Sequence, residues 1–452
     1  MAEFRDETGR PGPATWEAGD FPKGQEDYPV GGVSWYEAAA YAEFAGKSLP
    51  SIYHWYNAAL TFDAWLSSYI FPLSNFSGRG PARVGSYQGM SRFGTHDMAG
   101  NVKEWCWNEA GQGKRYVLGG AWDEPVYMFN EADAHFPFQR YAHFGFRCAK
   151  YSSAEMSANV ASQLVPSAAR NYDEEKPVSD EIFRVYQSLY SYDKTALNPA
   201  IESADQSNPE WEKERITFAA AYGDERVIAY LFLPRKMVPP YQTIVHFPGG
   251  DSITIRSSKD LDVTRIDFII KSGRAVLWPI LKSNFERGDG LTSDVPDASI
   301  SYRDHVICWS KDLGRSIDYL ETRSDIDRNK IGYYGFSWGA SMGALMPALE
   351  NRLKVSVLTG PGFALQRTRP EVDPINFAPR VTIPTLMLNG RYDFFNPIES
   401  SQVPMYRLLG TPPEHKHHAV FEAGHIMPRN HVIKETLDWL DRYLGPVKRT
   451  DE

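Results

Sequence analysis

The chain has 452 residues, of which 42% are hydrophobic and 23% are charged. This length favours two or three domains, and the composition is that of a folded protein rather than a disordered one. The formal net charge of −9 argues against a nucleic-acid partner, because affinity for phosphates depends on clustered Lys and Arg.

The three cysteines, Cys106, Cys148 and Cys308, are odd in number and far apart. They support neither a disulfide framework nor a zinc ribbon. The sequence has no apolar run long enough to span a bilayer, and its start lacks the basic-then-apolar order of a secretory signal. We therefore expect a cytoplasmic protein with no membrane partner, and a homo-oligomer is compatible with the sequence.

Residues 1–150 form the first predicted domain, which is rich in aromatic residues and glycine. One helix is predicted over residues 34–46, with Ser34 as its N-cap and Gly46 as its terminator, and the rest is expected to be loop-rich. Residues 151–180 are small, polar and acidic, and this composition predicts a linker.

Residues 181–446 form the second predicted domain, in which short apolar segments alternate with helical periods. The strands are predicted at 226–233, 242–247, 274–279, 330–334, 354–358, 384–388 and 417–421. The helices are predicted at 261–272, 303–323, 340–349 and 432–443. Buried strands that alternate with amphipathic helices indicate a mostly parallel sheet with helices on both faces.

Ser337 lies in a GxSxG pentapeptide, between Gly335 and Gly339. Both glycines are expected to be necessary, because a Cβ at either flank of such a tight turn would collide with the neighbouring strand or helix. The pentapeptide alone is weak evidence and is compatible with a structural turn. Its position after an apolar strand and before a small-residue helix predicts that Ser337 is a nucleophile.

Asp393 and His425 each follow an apolar strand, and their order after Ser337 is the order of acid and base in α/β-hydrolases. His425 is predicted to accept the proton of the Ser337 hydroxyl, and Asp393 to fix the imidazole and stabilise the imidazolium. The alternatives are a turn or capping carboxylate for Asp393 and a surface histidine for His425.

An oxyanion hole is the other requirement of this chemistry. One donor is predicted to be the backbone N–H of Trp338, and the second should come from the loop HFPGGD after strand 242–247. Pro248 has no N–H, so Gly250 is the preferred second donor and Gly249 the next. A simple glycine turn is the alternative.

These segments together resemble the α/β-hydrolase superfamily, especially its esterase and prolyl-oligopeptidase-like branch, over residues 172–446. The resemblance implies an α/β-hydrolase fold and a serine carboxylesterase that acts on a small-molecule ester with a short acyl chain or an aryl alcohol, without a catalytic cofactor. A serine peptidase of the same branch and a non-catalytic scaffold or sensory module are the alternatives.

The first half resembles a second family. The phrases PVGGVSWYEAAAYAEFAGKSLPS, GTHDMAGNVKEW, VLGGAW and HFGFRC are similar to the formylglycine-generating-enzyme, or sulfatase-modifying-factor, domain. Members of that family oxidise a sulfatase cysteine with a copper-binding cysteine pair. No cysteine occurs between residues 121 and 147, so this degenerate and N-terminally shortened copy is expected to lack the oxidase activity.

The same resemblance implies a structural calcium site, because the family's GNxxEW loop binds calcium through backbone carbonyls and a carboxylate. The corresponding ligands are Asp97, Gly100, Val102 and Glu104, and the alternative is a metal-free turn held by Trp105. The pairing of the two domains resembles the C-terminal part of bacterial proteins that begin with a kinase domain, which implies a preceding kinase domain in related longer proteins. The chain itself has no kinase motifs.

Overall fold

The computed structural model describes residues 4–59, 70–129, 131–151, 170–259, 261–393 and 395–447. The chain divides into two compact units. The first unit comprises Met1–Ala169 and Arg391–Pro397, and the second comprises Arg170–Gly390 and Ile398–Glu452.

The first unit has two described helices and a four-stranded sheet. The helices are α1 (Trp35–Phe44) and α2 (Ile52–Ala59), and the strands are β1 (Lys103–Gly111), β2 (Lys114–Leu118), β3 (Ala134–His135) and β4 (Phe144–Gly145). The strand order is β3-β2-β1-β4. Most of the remaining described residues of this unit form turns and loops, as the sequence predicts.

Helix α1 begins where the sequence predicts. The Ser34 hydroxyl accepts from the backbone N–H of Glu37, and the Glu37 carboxylate accepts from the backbone N–H of Ser34, which is a capping box. Several large aromatic side chains lie in the interior of this unit: Trp55 and Trp105 are fully buried in two separate clusters. Large aromatics therefore provide the core of a unit with few helices.

The second unit has eight described α-helices and nine strands. The helices are α3 (Asp180–Ser188), α4 (Asp251–Thr254), α5 (Asp267–Lys271), α6 (Ile300–Thr322), α7 (Trp338–Met342), α8 (Met346–Leu349), α9 (Val403–Leu408) and α10 (Arg429–Leu444). The strands are β5 (Ala200–Asp205), β6 (Trp211–Ala219), β7 (Arg226–Pro234), β8 (Tyr241–Phe247), β9 (Ala275–Ile280), β10 (Ile326–Phe336), β11 (Leu353–Thr359), β12 (Thr385–Gly390) and β13 (Lys416–Phe421).

These strands form one sheet in the order β13-β12-β11-β10-β8-β9-β7-β6-β5. The strands from β13 to β9 are parallel to their neighbours, and β7, β6 and β5 are added antiparallel. Alternate residues of β8 enter different hydrophobic clusters, with Val245 in one and Ile244 in the other, so both faces of the sheet are covered. This is the α/β-hydrolase arrangement that the sequence predicts.

The structure differs from the predicted elements in several places. The predicted helix 261–272 is broken at Ile266 into a short 3₁₀ turn and α5. The predicted helix 340–349 is divided into α7 and α8 by residues 343–345. The edge strand β5 has no counterpart among the predicted strands, because it is exposed along its whole length and carries no apolar periodicity, and its neighbour β6 was not predicted either.

Candidate active site

Ser337 occupies a strained turn between β10 and α7. Its φ is +53° and its ψ is −113°, a conformation that side-chain-bearing residues rarely adopt. The backbone N–H of Ser337 donates to the carbonyl of Thr359 at 2.8 Å, which holds the turn against the end of β11. Backbone strain of this kind is typical of a nucleophile presented at the end of a strand.

The two glycines of the pentapeptide make the contacts that the sequence predicts. A Cβ at Gly335 would lie 2.4 Å from the carbonyl oxygen of Gly339, and a Cβ at Gly339 would lie 2.2 Å from the carbonyl oxygen of Phe247. Real Cβ atoms do not approach backbone that closely, so neither position accepts a side chain without movement of the turn. The glycines are thus required by the packing of β10, α7 and β8.

His425 lies four residues after β13 and contacts the nucleophile. Its Nε2 is 2.7 Å from the Oγ of Ser337, and the His425 ring is buried. In the neutral imidazole whose Nε2 is unprotonated, this geometry makes Nε2 the acceptor of the serine hydroxyl. The structure therefore brings together two of the predicted site residues, which are 88 positions apart.

Asp393 follows β12 by three residues, and β12 lies beside β13 with Gly390 opposite Phe421. The carboxyl ends of these parallel strands lie at one sheet edge. Asp393 is buried, and its Oδ1 accepts from the backbone N–H groups of Phe395 at 2.9 Å and Asn396 at 3.2 Å. The loop Arg391–Pro397, which contains Asp393, belongs to the first compact unit. The role of Asp393 as the acid of the triad stays a prediction.

The predicted oxyanion donors lie on two segments that are hydrogen-bonded to each other. The N–H of Gly339 donates to the carbonyl of Pro248 at 3.0 Å, which connects the serine turn to the HFPGGD loop. Trp338 is the first residue of α7, where the helix offers its N–H no internal acceptor. Gly250 precedes the short helix α4. The donor roles of Trp338 and Gly250 stay predictions, and both segments border the turn that carries Ser337.

The sequence did not indicate Asp294, which lies beside the HFPGGD loop that contains Gly250. A Cβ at Gly250 would be 2.4 Å from the carboxyl carbon of Asp294, so the carboxyl group lies directly against the glycine. Burial raises the pKa of the Asp294 carboxyl above its usual value. Asp294 belongs to a polar loop, residues 288–298, with no periodic pattern, and the signal available in sequence was its position between a buried strand and a long helix.

The predicted calcium ligands lie in the first unit, and their arrangement does not fit a calcium ion. The Glu104 carboxylate accepts from Arg147 through both oxygens, at 2.5 and 2.7 Å, and from the indole N–H of Trp55 at 2.7 Å. A calcium ligand would need those oxygens, and the Arg147 guanidinium already neutralises their charge. Asp97 accepts from the N–H of Gly85 at 2.7 Å.

The rest of this segment is turn and buried backbone. Gly100 has a φ of +74°, and a Cβ there would lie 2.4 Å from the carbonyl oxygen of Asn75, while Val102 is buried. Among the described residues, no group of three His, Cys, Asp or Glu side chains could hold a metal ion. The turn is held by the Arg147–Glu104 pair and by buried aromatic packing.

Comparison with known proteins identifies the first half of the chain. Residues 8–152 match the model of the sulfatase-modifying factor enzyme 1-like domain. The serine/threonine-protein kinase pkn1 of Chlamydia pneumoniae is 32% identical over 156 residues, which cover 28% of this chain and 25% of the relative. The corresponding kinase of Chlamydia trachomatis is 40% identical over 91 residues, which cover 18% of this chain and 14% of the relative.

The chain thus spans about a quarter of the length of the curated relatives that it matches first. Those relatives are named protein kinases, in agreement with the expectation that related longer proteins include a kinase domain. Residues 8–152 thus match a sulfatase-modifying-factor-like domain, and the second unit has an α/β-hydrolase fold.

Solved structures similar to this chain include two esterases. The acetyl xylan esterase 1 of Thermoanaerobacterium sp. has a TM-score of 0.48 and 15% identity and covers 60% of this chain and 96% of its own. The acetyl xylan esterase of Paenibacillus sp. R4 has a TM-score of 0.46 and 15% identity, with 60% and 98% coverage. In the described part of the chain, no helix combines the length and hydropathy needed to cross a bilayer.

Proposed function

We propose that the protein is a serine carboxylesterase whose nucleophile is Ser337 and whose general base is His425. The observation that carries the proposal is the 2.7 Å contact between the Oγ of Ser337 and the Nε2 of His425 at a strained strand-to-helix turn. A hydroxyl that donates to a neutral imidazole is ready to lose its proton as it attacks. Asp393 is proposed as the acid that orients the imidazole and stabilises its protonated form.

The proposed reaction has two acyl-transfer steps. Ser337 Oγ attacks the ester carbonyl carbon while His425 takes the hydroxyl proton, and the N–H groups of Trp338 and Gly250 stabilise the resulting oxyanion. The carbon–oxygen bond to the alcohol then breaks, and His425 returns the proton to the departing alkoxide. Water attacks the acyl-enzyme with His425 again as base, and the carboxylic acid and free Ser337 are released.

The test is covalent labelling followed by turnover. A fluorophosphonate probe is expected to label the wild-type chain and not Ser337→Ala, and hydrolysis of p-nitrophenyl acetate is expected to fall at least a thousandfold in that variant. Ser341→Ala is the matched control: Ser341 lies one turn further along, its hydroxyl accepts from the N–H of Gly362 at 3.3 Å, and labelling and turnover should persist. Unlabelled wild-type protein would overturn the proposal.

A second assay separates ester from amide chemistry. The same triad serves serine peptidases, so an aminoacyl p-nitroanilide is offered beside the aryl ester. We expect turnover of the ester and none of the anilide. Efficient cleavage of the anilide would replace the esterase proposal by the peptidase alternative, and labelling without turnover of either would limit the site to a reactive serine.

A further inference from the structure

Asp294 places a carboxyl group at the rim of the proposed active site. The group lies against Gly250, the proposed oxyanion donor, and a Cβ on that glycine would be 2.5 and 2.7 Å from the two carboxyl oxygens. Burial raises the pKa of the Asp294 carboxyl, and the charge of a protonated His425, the proposed base, acts in the opposite direction. The loop that carries Asp294, between β9 and α6, therefore contributes an ionisable group to the site.

Asp294 forms no salt bridge with a Lys, Arg or His side chain in the part of the chain that the structure describes. Asp251, the neighbouring carboxylate, by contrast accepts from Arg265 at 2.8 and 3.2 Å. A partly buried carboxylate without a counter-ion attracts a positive charge and repels a negative one more strongly than an exposed carboxylate does.

The alcohol half of an ester is the part that this charge would reach. In serine hydrolases the histidine gives its proton to the leaving group, so the alcohol lies on the histidine side of the acyl carbon. The Asp294 carboxyl lies against Gly250, in the loop that is hydrogen-bonded to the Ser337 turn, so its charge acts on the space that the ester would occupy.

We propose that Asp294 is a specificity-determining residue that favours esters of positively charged alcohols and disfavours esters of alcohols that carry a carboxylate. The inference rests on the proposed esterase function and adds the charge class of its substrate. The charge of Asp294 and a charge on the alcohol half of the substrate, at close range, change the affinity for the substrate by about tenfold. The change is smaller when water lies between the two charges and larger when the substrate excludes that water.

The experiment compares three thioacetates that differ in the charge of the leaving group. They are acetylthiocholine, its uncharged carbon isostere 3,3-dimethylbutyl thioacetate, and the anion of S-acetyl-3-mercaptopropanoic acid. The released thiol is measured, and each kcat/KM is divided by that of the uncharged isostere in the same variant. This normalisation separates charge selection from a general change in catalysis.

The variants are Asp294→Asn and Asp294→Ser, with Asp297→Asn as the matched control. Asp297 lies three residues away on the same loop, is exposed, and accepts from the N–H of Ser299 at 2.7 Å. The ratio of the normalised kcat/KM for acetylthiocholine to that for the anionic thioacetate is expected to exceed one in the wild type. This cation-to-anion ratio should fall tenfold or more in both Asp294 variants and change less than twofold in Asp297→Asn.

A ratio that falls less than tenfold in the Asp294 variants, or that falls equally in Asp297→Asn, overturns the inference. Both results leave the esterase proposal standing, because the uncharged isostere is still hydrolysed. Absence of turnover of the uncharged isostere by the wild type, together with absence of fluorophosphonate labelling, overturns the esterase proposal itself and with it the inference that rests on it.

Discussion

Replacing Gly339 by Ala tests the construction of the serine turn. Gly339 lies in α7, where alanine is intrinsically favoured over glycine by about 1 kcal/mol. The added Cβ would lie 2.2 Å from the carbonyl oxygen of Phe247 and 2.7 Å from that of Pro248, and both are backbone atoms. Overpacking of this kind costs about 3 kcal/mol at the upper end of its usual range, so the net destabilisation is about 2 kcal/mol.

Gly314→Ala is the matched control, since Gly314 is also helical and buried. There the Cβ meets the hydroxyl of Tyr192 at 2.6 Å and two of its ring carbons at 2.9 and 3.1 Å; these are atoms of one side chain, which donates to Asp318 at 3.2 Å, and not of the backbone. Its stability should change by less than about 1 kcal/mol, because the helix preference of alanine offsets the displacement of the tyrosine.

Urea unfolding, followed by circular dichroism and tryptophan fluorescence, measures the free energy of unfolding of both variants. The rate of p-nitrophenyl acetate hydrolysis reports whether the turn still holds Ser337 in place. A misplacement of the nucleophile by about 1 Å costs about a hundredfold in rate, and we expect a loss of that size or more in Gly339→Ala alone. If Gly339→Ala unfolds at the same urea concentration as the wild type and retains its rate within threefold, the contact with Phe247 does not restrict the turn and the reasoning fails.

Two further predictions concern the acid of the triad and a buried histidine. Asp393→Asn should lower kcat by about 10⁴-fold, because the imidazole loses the carboxylate that fixes its tautomer; a loss below tenfold in p-nitrophenyl acetate hydrolysis would remove Asp393 from the triad. His246 is fully buried, its Nδ1 is 3.1 Å from the carbonyl of Tyr334, and desolvation lowers its pKa to about 3. His246 takes up a proton near pH 6.5 in the unfolded chain, whereas it stays neutral at that pH in the folded chain. Protonation of His246 should therefore lower the free energy of unfolding by about 2 kcal/mol when the pH falls from 8 to 5. Urea unfolding of His246→Asn at both pH values should show a pH-dependent loss smaller by that amount, and an unchanged loss would assign the acid sensitivity to other groups.

The contact between Ser337 and His425 could be anticipated from the sequence because the signals of both residues are local. The glycine spacing around Ser337 reports backbone contacts. His425 follows β13, whose parallel neighbour β12 is buried and reads as an apolar run, as does β11 on the other side of β12. The apolar runs thus indicated where the parallel strands end and which residues follow their carboxyl ends.

Asp294 could not be predicted because its position depends on how a polar loop packs on Gly250. The sequence has 57 acidic residues, and nothing local distinguishes this one. The pairing of Glu104 could not be predicted for a related reason: its partner is Arg147, 43 positions away, and spacing around Glu104 carries no information about that pair. The break at Ile266 likewise depends on tertiary packing that overrides helical periodicity.

The hydrogen bond from Gly339 to Pro248 has a consequence for how the protein can acquire new substrates. Because this bond joins the serine turn to the glycine loop, a substitution that displaces either segment would, in the proposed mechanism, disturb attack and oxyanion binding together. Variation tolerated by natural selection should therefore concentrate in loops such as 288–298, which border the proposed active site without supplying its nucleophile, base or oxyanion donors. A substrate range can then widen or narrow there while the reaction itself is preserved.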